Sequence, residues 1–227
     1  MKKILVIAAH PDDEFLGCGG SLLSYKKKGY KIKSVFLADG ESSRLGINKK
    51  INKLIKERED QAKNIAKKCN FLQPIFNRLP DNKLDTVPFL KIVKSIESEI
   101  VKYKPEIVFT HFESDLNIDH QLVHQAVVTA TRPLSKTFVT KIYCFETPSS
   151  TEFNFTRKQK KLFNPNLFID VSRFINQKIK LLKIYKNEIR PWPHARSLRS
   201  IKNLASYRGS QIGVKFAEAF IVLREIR

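Results

Sequence analysis

The chain has 227 residues, of which 42 % are hydrophobic and 28 % are charged. These values are typical of a soluble globular protein, and the length suits one α/β domain with a sizeable core. No apolar run approaches the roughly 20 residues that a membrane helix needs, so the sequence predicts no transmembrane segment.

The net charge of +20 suggests an anionic partner, such as nucleic acid, lipid headgroups or a phosphorylated small molecule. Its lysines are spread along the chain, however, and this pattern fits solvated surfaces equally well. Cys18, Cys69 and Cys144 are far apart and form no CxxC pair, which argues against a zinc knuckle or a disulfide framework. A reducing cytoplasm is therefore the expected compartment.

Residues 4–8 form a short apolar run that predicts a buried first strand. His10, Asp12, Asp13 and Glu14 follow it directly, at the strand end where open α/β sheets bind ligands. Imidazole and carboxylate groups together bind divalent metals, and a carboxylate that is not a ligand can accept a proton. The alternative is a capped loop histidine with acids that suit the start of the next helix.

The pattern that follows predicts alternating helices and strands. Helices are expected over residues 19–28, 47–68 and 87–102, and strands over 31–37, 73–76 and 106–110. Four strands alternating with three helices imply a Rossmann-like, mostly parallel sheet with helices on both faces, a three-layer sandwich. The ends of the first, second and fourth strands then bring His10, Asp39 and His111 to one edge.

A second cluster of polar residues follows the fourth strand and runs into a helix predicted over residues 119–131. His120 lies in the first turn of that helix, and His124 lies four residues further on the same face. Three of the five histidines of the chain fall in this segment. Together with the acids of the first strand end, they fit a His/Asp/His metal site with an open position.

The motif at residues 9–14, combined with Asn117-Ile118-Asp119-His120, resembles the zinc-dependent N-acetylglucosamine deacetylases of the PIG-L/LmbE family. The likeness covers at least residues 1–132. It implies that His10, Asp13 and His120 bind Zn²⁺, with Fe²⁺, Co²⁺ or Mn²⁺ as alternatives. It also implies that Asp12 is the general base for attack of water on an N-acetyl carbonyl, with Glu14 in support.

Asn117 departs from the family pattern, in which a histidine that assists the oxyanion commonly stands at this position. An amide donates a hydrogen bond but cannot act as a general acid. His194, His111 and His124 are the candidates for that role, with His194 the first choice as catalytic acid. The protonated base could also return the proton.

The remaining third predicts strands at residues 142–145, 167–171 and 216–223 and helices around 178–185 and 200–208. No linker interrupts the pattern, so we expect one domain over 1–227, with 1–132 as the metal-site core and 133–227 closing the cleft. The candidate substrate-binding residues are Asp39, Arg44, Asn117, Arg196 and Arg208. Asp39 fits a loop acid equally well.

The leading functional hypothesis is a zinc amidase that removes the acetyl group from an N-acetylated amino sugar, free or on a phosphorylated carrier. A metal amidase acting on another acylated small molecule fits the same residues. A nucleic-acid or anionic-surface binder rests on net charge alone and lacks a zinc finger or RNP motif. No GxGxxG or P-loop motif supports dinucleotide or NTPase chemistry. The oligomeric state stays open.

Overall fold

The computed structural model describes residues 2–43, 49–133, 139–155 and 161–226. Within these ranges the strands are β1 (Lys3–Ala8), β2 (Lys31–Ala38), β3 (Ile75–Leu79), β4 (Ile107–His111), β5 (Lys141–Phe145), β6 (Leu167–Asp170) and β7 (Ala217–Glu225). The α-helices are α1 (Asp13–Lys27), α2 (Lys49–Lys68), α3 (Phe89–Tyr103), α4 (Ile118–Ala130), α5 (Ile175–Leu182) and α6 (Leu198–Ser210). A short 3₁₀ helix covers Leu84–Thr86.

The strands form one sheet in the order β3-β2-β1-β4-β5-β7-β6. The first five strands run parallel to one another, and β7 runs antiparallel between β5 and β6. The predicted mostly parallel, Rossmann-like sheet is therefore confirmed. Strand β6 lies at the edge of the sheet.

Helices cover both faces of the sheet, because alternate residues of β1 point into two different apolar cores. One core contains Ile4 and Val6 and packs against α1, α2, α5 and α6. The other contains Leu5 and Ile7 and packs against α3 and α4. This arrangement confirms the three-layer sandwich.

Strands β1 and β4 are neighbours, but the helices that follow them lie on opposite faces of the sheet. The loops leaving these two strands therefore diverge and open a crevice at the C-terminal edge, as at other topological switch points. The two polar motifs predicted from the sequence follow β1 and β4. The fold thus brings them together although they are about a hundred residues apart in the chain.

Helix α1 begins at Asp13, six residues before the predicted start at Gly19. Two acids in its first turn suit the positive end of the helix dipole. Its glycines serve close packing: a Cβ on Gly17 would lie 2.2 Å from the Phe145 ring. The backbone N–H of Gly20 donates to Glu218 at 2.8 Å, so Glu218 supports the fold rather than the cleft.

Two expectations from composition can be compared with the structure. Cys18, Cys69 and Cys144 are buried and unpaired, and burial raises the pKa of Cys144 to about 12. Among the described helices, none combines the length and apolarity required to cross a bilayer.

Candidate metal centre and active site

Three ligand atoms converge at the switch point between β1 and β4. His10 Nδ1 lies 3.3 Å from Asp13 Oδ2 and 3.4 Å from His120 Nε2. The third side of this triangle, from His120 Nε2 to Asp13 Oδ2, is also 3.4 Å. All three residues are buried. The structure therefore brings together the three residues that the sequence predicted as metal ligands.

The spacing of these atoms fits a metal ion. Tetrahedral coordination with bonds of about 2.0–2.1 Å separates ligand atoms by about 3.4 Å, which matches all three sides. Two facing imidazole nitrogens at this distance would otherwise compete for one proton. In addition, Asp13 Oδ1 is buried and has no hydrogen-bond partner among the described residues. A buried oxygen that lacks a hydrogen-bond donor is a suitable partner for a cation.

Two carboxylates orient the His10 ring from behind. Its Nε2 lies 3.0 Å from Asp81 Oδ1 and 3.1 Å from Asp119 Oδ2. Asp119 is itself fixed by the backbone N–H groups of Asn82 and Leu84, at 2.7 and 3.0 Å. Carboxylates of this kind set the tautomer and direction of metal-binding histidines.

Sequence reasoning missed the roles of Asp81 and Asp119. Asp119 stands next to His120 in the second motif, and this adjacency was the only signal for it. Asp81 lies in the loop after β3, and the residue types of this loop indicated only a turn.

Asp115 takes the corresponding position behind His120. Its Oδ1 lies 3.1 Å from His120 Nδ1, and it also accepts hydrogen bonds from Ser150 Oγ, Thr151 Oγ1 and the Asn117 N–H. These donors come from the loop after β5 and from the start of α4. The carboxylate therefore ties two strand-end loops to one histidine.

The pocket stabilises positive charge at the ligand triangle. Burial alone would lower the pKa of His120, but the carboxylates of Asp13 and Asp115 raise it to about 9. The pKa of His10 is likewise raised, because its hydrogen bonds to the carboxylates of Asp119, Asp13 and Asp81 outweigh its burial. The imidazoles of His120 and His111 hold the pKa of Asp13 well below its usual range. Such a field suits a cation.

A second group of three, His10, Asp81 and Asp119, also lies close enough to be considered for a metal. Its carboxylates are already occupied, because Asp119 accepts two backbone N–H bonds and Asp81 accepts from Ser43 Oγ. In the first group Asp13 Oδ2 accepts one backbone N–H, from His10 at 2.8 Å, and Asp13 Oδ1 has no hydrogen-bond partner among the described residues. The first group is the better cation site for this reason.

Asp12 has a strained backbone, with φ of 140° and ψ of −30°. Strain of this kind costs of order 1–3 kcal/mol and persists only where neighbours impose it. Its N–H donates to Glu14 Oε2 at 3.0 Å, and Tyr185 Oη donates to the other oxygen of Glu14 at 2.6 Å. Burial raises the pKa of Glu14 to about 8. Glu14 thus supports the motif, as expected.

Two guanidinium groups hold the Asp12 carboxylate. Arg58 Nη2 donates to Oδ1 at 3.0 Å, and Arg196 Nη1 donates to Oδ2 at 3.1 Å. Burial nevertheless raises the pKa of Asp12 to about 6, against the lowering effect of both arginines. Arg58 comes from α2, where the charged pattern predicted mainly a solvated surface. For Arg58 the sequence also allowed a position facing the cleft, and the structure buries this residue.

Two residues predicted to bind substrate have structural partners. The Asn117 side chain caps α4 by accepting from the Asp119 N–H at 2.8 Å, and its Nδ2 donates to Asn82 Oδ1 at 3.0 Å. Asp39 Oδ1 accepts the N–H groups of Glu41 and Ser42, both at 2.8 Å, in line with the loop-acid alternative. The predicted contact of Arg44 lies outside the described residues.

The predicted residues of the last third separate into two places. Arg208 forms a bidentate ion pair with Glu146, at 2.8 and 2.7 Å, and no contact between Arg208 and Asp12 is found among the described residues. Arg196 reaches Asp12 directly. His194 is exposed, and its Nδ1 accepts the Arg196 N–H at 3.0 Å. No contact between the His194 ring and the ligand triangle is found among the described residues.

The other two candidate acids, His111 and His124, each have a ring nitrogen in contact with a backbone group. His111 Nε2 accepts the Ala9 N–H at 2.9 Å, and its ring stacks on His120 with centroids 3.8 Å apart. Burial and the neighbouring His120 hold the pKa of His111 well below its usual value. His124 Nδ1 lies 2.9 Å from the His111 carbonyl oxygen. Both rings have positions typical of structural histidines.

Residues 5–131 match the family described as PIG-L, GlcNAc-PI de-N-acetylase. An uncharacterized deacetylase of Escherichia coli K12, YaiS, is 31 % identical over 153 residues, which cover 66 % of this chain and 76 % of that protein.

Solved structures share the fold at lower identity. The N,N'-diacetylchitobiose deacetylase of Pyrococcus horikoshii is 19 % identical with a TM-score of 0.77, covering 98 % of this chain and 84 % of its own. GalB of Pseudomonas putida KT2440, a 4-carboxy-2-hydroxymuconate hydratase, is 20 % identical with a TM-score of 0.76, covering 100 % and 98 %. The same fold thus hosts a different reaction, so fold alone does not decide function. The family match and the YaiS identity do assign the chain: it belongs to the PIG-L family of deacetylases.

Proposed function

We propose that this protein is a metal-dependent hydrolase that removes the acetyl group from an N-acetylated amino sugar. The observation that carries the proposal is the triangle of His10 Nδ1, Asp13 Oδ2 and His120 Nε2 beside the Asp12 carboxylate. In this proposal the three residues hold the metal and Asp12 is the general base. Zinc suits two histidines and one aspartate, although Fe²⁺, Co²⁺ or Mn²⁺ fit as well.

A bound divalent ion supplies Lewis acidity, which makes water a better nucleophile and polarises the amide carbonyl. Asp12 accepts a proton from the attacking water, and a pKa of about 6 suits a base that works near neutral pH. Breakdown of the tetrahedral intermediate breaks the C–N bond and releases acetate. Asp12 can return its proton to the leaving amine, and His194 is the second candidate for this step.

The substrate class is also a proposal. The P. horikoshii relative is named for an N-acetylated sugar, and directional donors such as arginine suit sugar hydroxyls or phosphate. We assign Arg196 to the cleft because it contacts Asp12, and we keep Asp39, Arg44, Asn117 and Arg208 as candidates. The contact of Arg196 with Asp12 also supports the view that residues 133–227 close the cleft. The net charge of +20 favours a phosphorylated carrier.

The test measures acetate released from a panel of N-acetyl sugars, including nucleotide-linked and lipid-phosphate-linked ones. The metal-free protein serves as control and is reloaded with Zn²⁺, Fe²⁺, Co²⁺ or Mn²⁺. We expect acetate and free amine in equal amounts, loss of activity in chelator and recovery with one of the metals. Acetate release that is unchanged after complete metal removal would contradict the proposal.

A further inference from the structure

Four charged side chains form a closed ring beside the metal triangle. Asp12 Oδ1 and Oδ2 contact Arg58 Nη2 at 3.0 Å and Arg196 Nη1 at 3.1 Å. Glu188 closes the ring from the opposite side, with Oε1 3.0 Å from Arg58 Nη1 and Oε2 2.8 Å from Arg196 Nη1. Acid and base alternate around the ring, and Asp12, Arg58 and Glu188 are all at least 95 % buried.

The two arginines differ in how they are held. Arg58 also donates to the carbonyl oxygens of Pro11 and Gly40, at 2.9 and 2.6 Å, and contacts Glu41. It therefore has anchors that do not depend on Glu188. Arg196 lies on a loop before α6, and its further hydrogen bonds go to the Ser149 hydroxyl and the Pro148 carbonyl oxygen. Glu188 is its carboxylate partner besides Asp12.

We propose that Glu188 is a positioning residue for Asp12: it keeps Arg58 and Arg196 on opposite oxygens of that carboxylate and so fixes its direction. The inference rests on the proposed function of Asp12 as the base. A carboxylate that accepts a guanidinium hydrogen bond at each oxygen cannot rotate about its Cβ–Cγ bond, and its remaining lone pairs keep one direction. Misplacement of a reacting group by about 1 Å can cost roughly 100-fold in rate, so this restraint matters.

Glu41 offers a matched control within the same cluster. Its Oε1, like that of Glu188, lies 3.0 Å from Arg58 Nη1, and both carboxylates are buried. Glu188 pairs with both Arg58 and Arg196, as Asp12 does, whereas the ion pair of Glu41 among the described residues is with Arg58. E41Q and E188Q therefore remove the same charge from the same guanidinium. Only E188Q breaks the ring.

Steady-state kinetics with zinc-loaded enzyme separates the two roles. We expect E188Q to lower kcat by about 10- to 100-fold with little change in KM, and to lose about tenfold more kcat than E41Q. Metal content and melting temperature are measured on both variants, to show that neither site nor fold is lost. Equal losses in E188Q and E41Q, or a loss confined to KM, would overturn the proposal.

Crystal structures of the two variants test the same inference without activity. In E188Q, Arg196 Nη1 should move beyond hydrogen-bonding distance, about 3.5 Å, from Asp12 Oδ2, whereas E41Q should keep this contact. An unmoved Arg196 in E188Q would contradict the proposal. If the wild-type protein released no acetate from any N-acetyl sugar, the proposed function would fail, and these structures would still decide whether Glu188 positions Asp12.

Discussion

Asp12 and Asp13 are adjacent in the chain but lie in opposite surroundings. Asp13 faces the imidazoles of His10, His111 and His120, and its pKa is held well below the usual range by His120 and His111. Asp12 faces two guanidinium groups, yet burial raises its pKa to about 6. Asp12 has a positive φ of 140°. One carboxylate is thus suited to a cation and the other to a proton.

The two sides also draw on different parts of the chain. The ligand triangle and its supporting carboxylates come from residues 10–120, within the region matched by the family. Arg196 and Glu188, which hold the base side, lie beyond that region. The candidate ligands therefore lie in compact motifs, whereas the proposed base is held by Arg58 of α2 together with two residues from the last third of the chain.

The largest expected effect is on the metal side. H120A removes one of three ligand atoms, so we expect the variant to lose both bound metal and acetate release. H124A is the matched control, because His124 lies one helical turn further on α4 and contacts the His111 carbonyl oxygen instead. Metal analysis after gel filtration checks both variants. Equal metal content in H120A and H124A would contradict the ligand assignment.

The base side should respond in activity alone. D12N keeps the size of the side chain but cannot accept the proton, so we expect a loss of about 10²- to 10⁴-fold in kcat. Metal content should match that of the wild type, because Asp12 is not part of the ligand triangle. Metal analysis and acetate release on the same preparation check this. Loss of metal in D12N would contradict the separation between the metal ligands and the proposed base.

A smaller effect is expected behind the ligands. D119N weakens the acceptor on His10 Nε2, and changes to such partners typically cost about 10- to 100-fold in metal affinity. Competition with a coloured chelator measures this affinity. D39N is the control, because Asp39 is also buried at a strand end but its Oδ1 caps the Glu41 and Ser42 N–H groups. A D119N affinity equal to that of D39N would argue against the orienting role.

The smallest effect concerns the proton for the leaving amine. If Asp12 returns the proton, H194A should lose no more than a few-fold in kcat, since His194 is exposed and its Nδ1 accepts the Arg196 N–H. The kcat of H194A measured across pH checks this expectation. A loss of about 100-fold or more would instead assign the acid role to His194.

Much of the fold and of the ligand set could be predicted from the sequence. The alternation of apolar strands and amphipathic helices has a clear period, and His10, Asp13 and His120 lie in short motifs at strand ends. The contacts of Asp12 could not be predicted in the same way, although Arg196 was predicted to lie in the cleft. Arg58 lies on a helix with many exposed charges, and its burial depends on the distant Glu188 and Glu41.

The supporting residues were hidden for a similar reason. Asp81 lies in a turn, and Glu188 follows a basic helix. Acidic residues are common on the surface in both settings. Their roles depend on tertiary contacts across the sheet edge rather than on any local pattern. Conversely, Asn117 stands in a conspicuous motif position, but the structure shows a helix cap.

Anomalous diffraction at the zinc edge from zinc-loaded crystals would locate the metal relative to its three proposed ligands. We predict one strong peak about 2.0–2.2 Å from His10 Nδ1, an Asp13 carboxylate oxygen and His120 Nε2. A peak on the other side of the His10 imidazole, between His10 Nε2, Asp81 and Asp119, would contradict this ligand set. The absence of a peak at either position would contradict it as well.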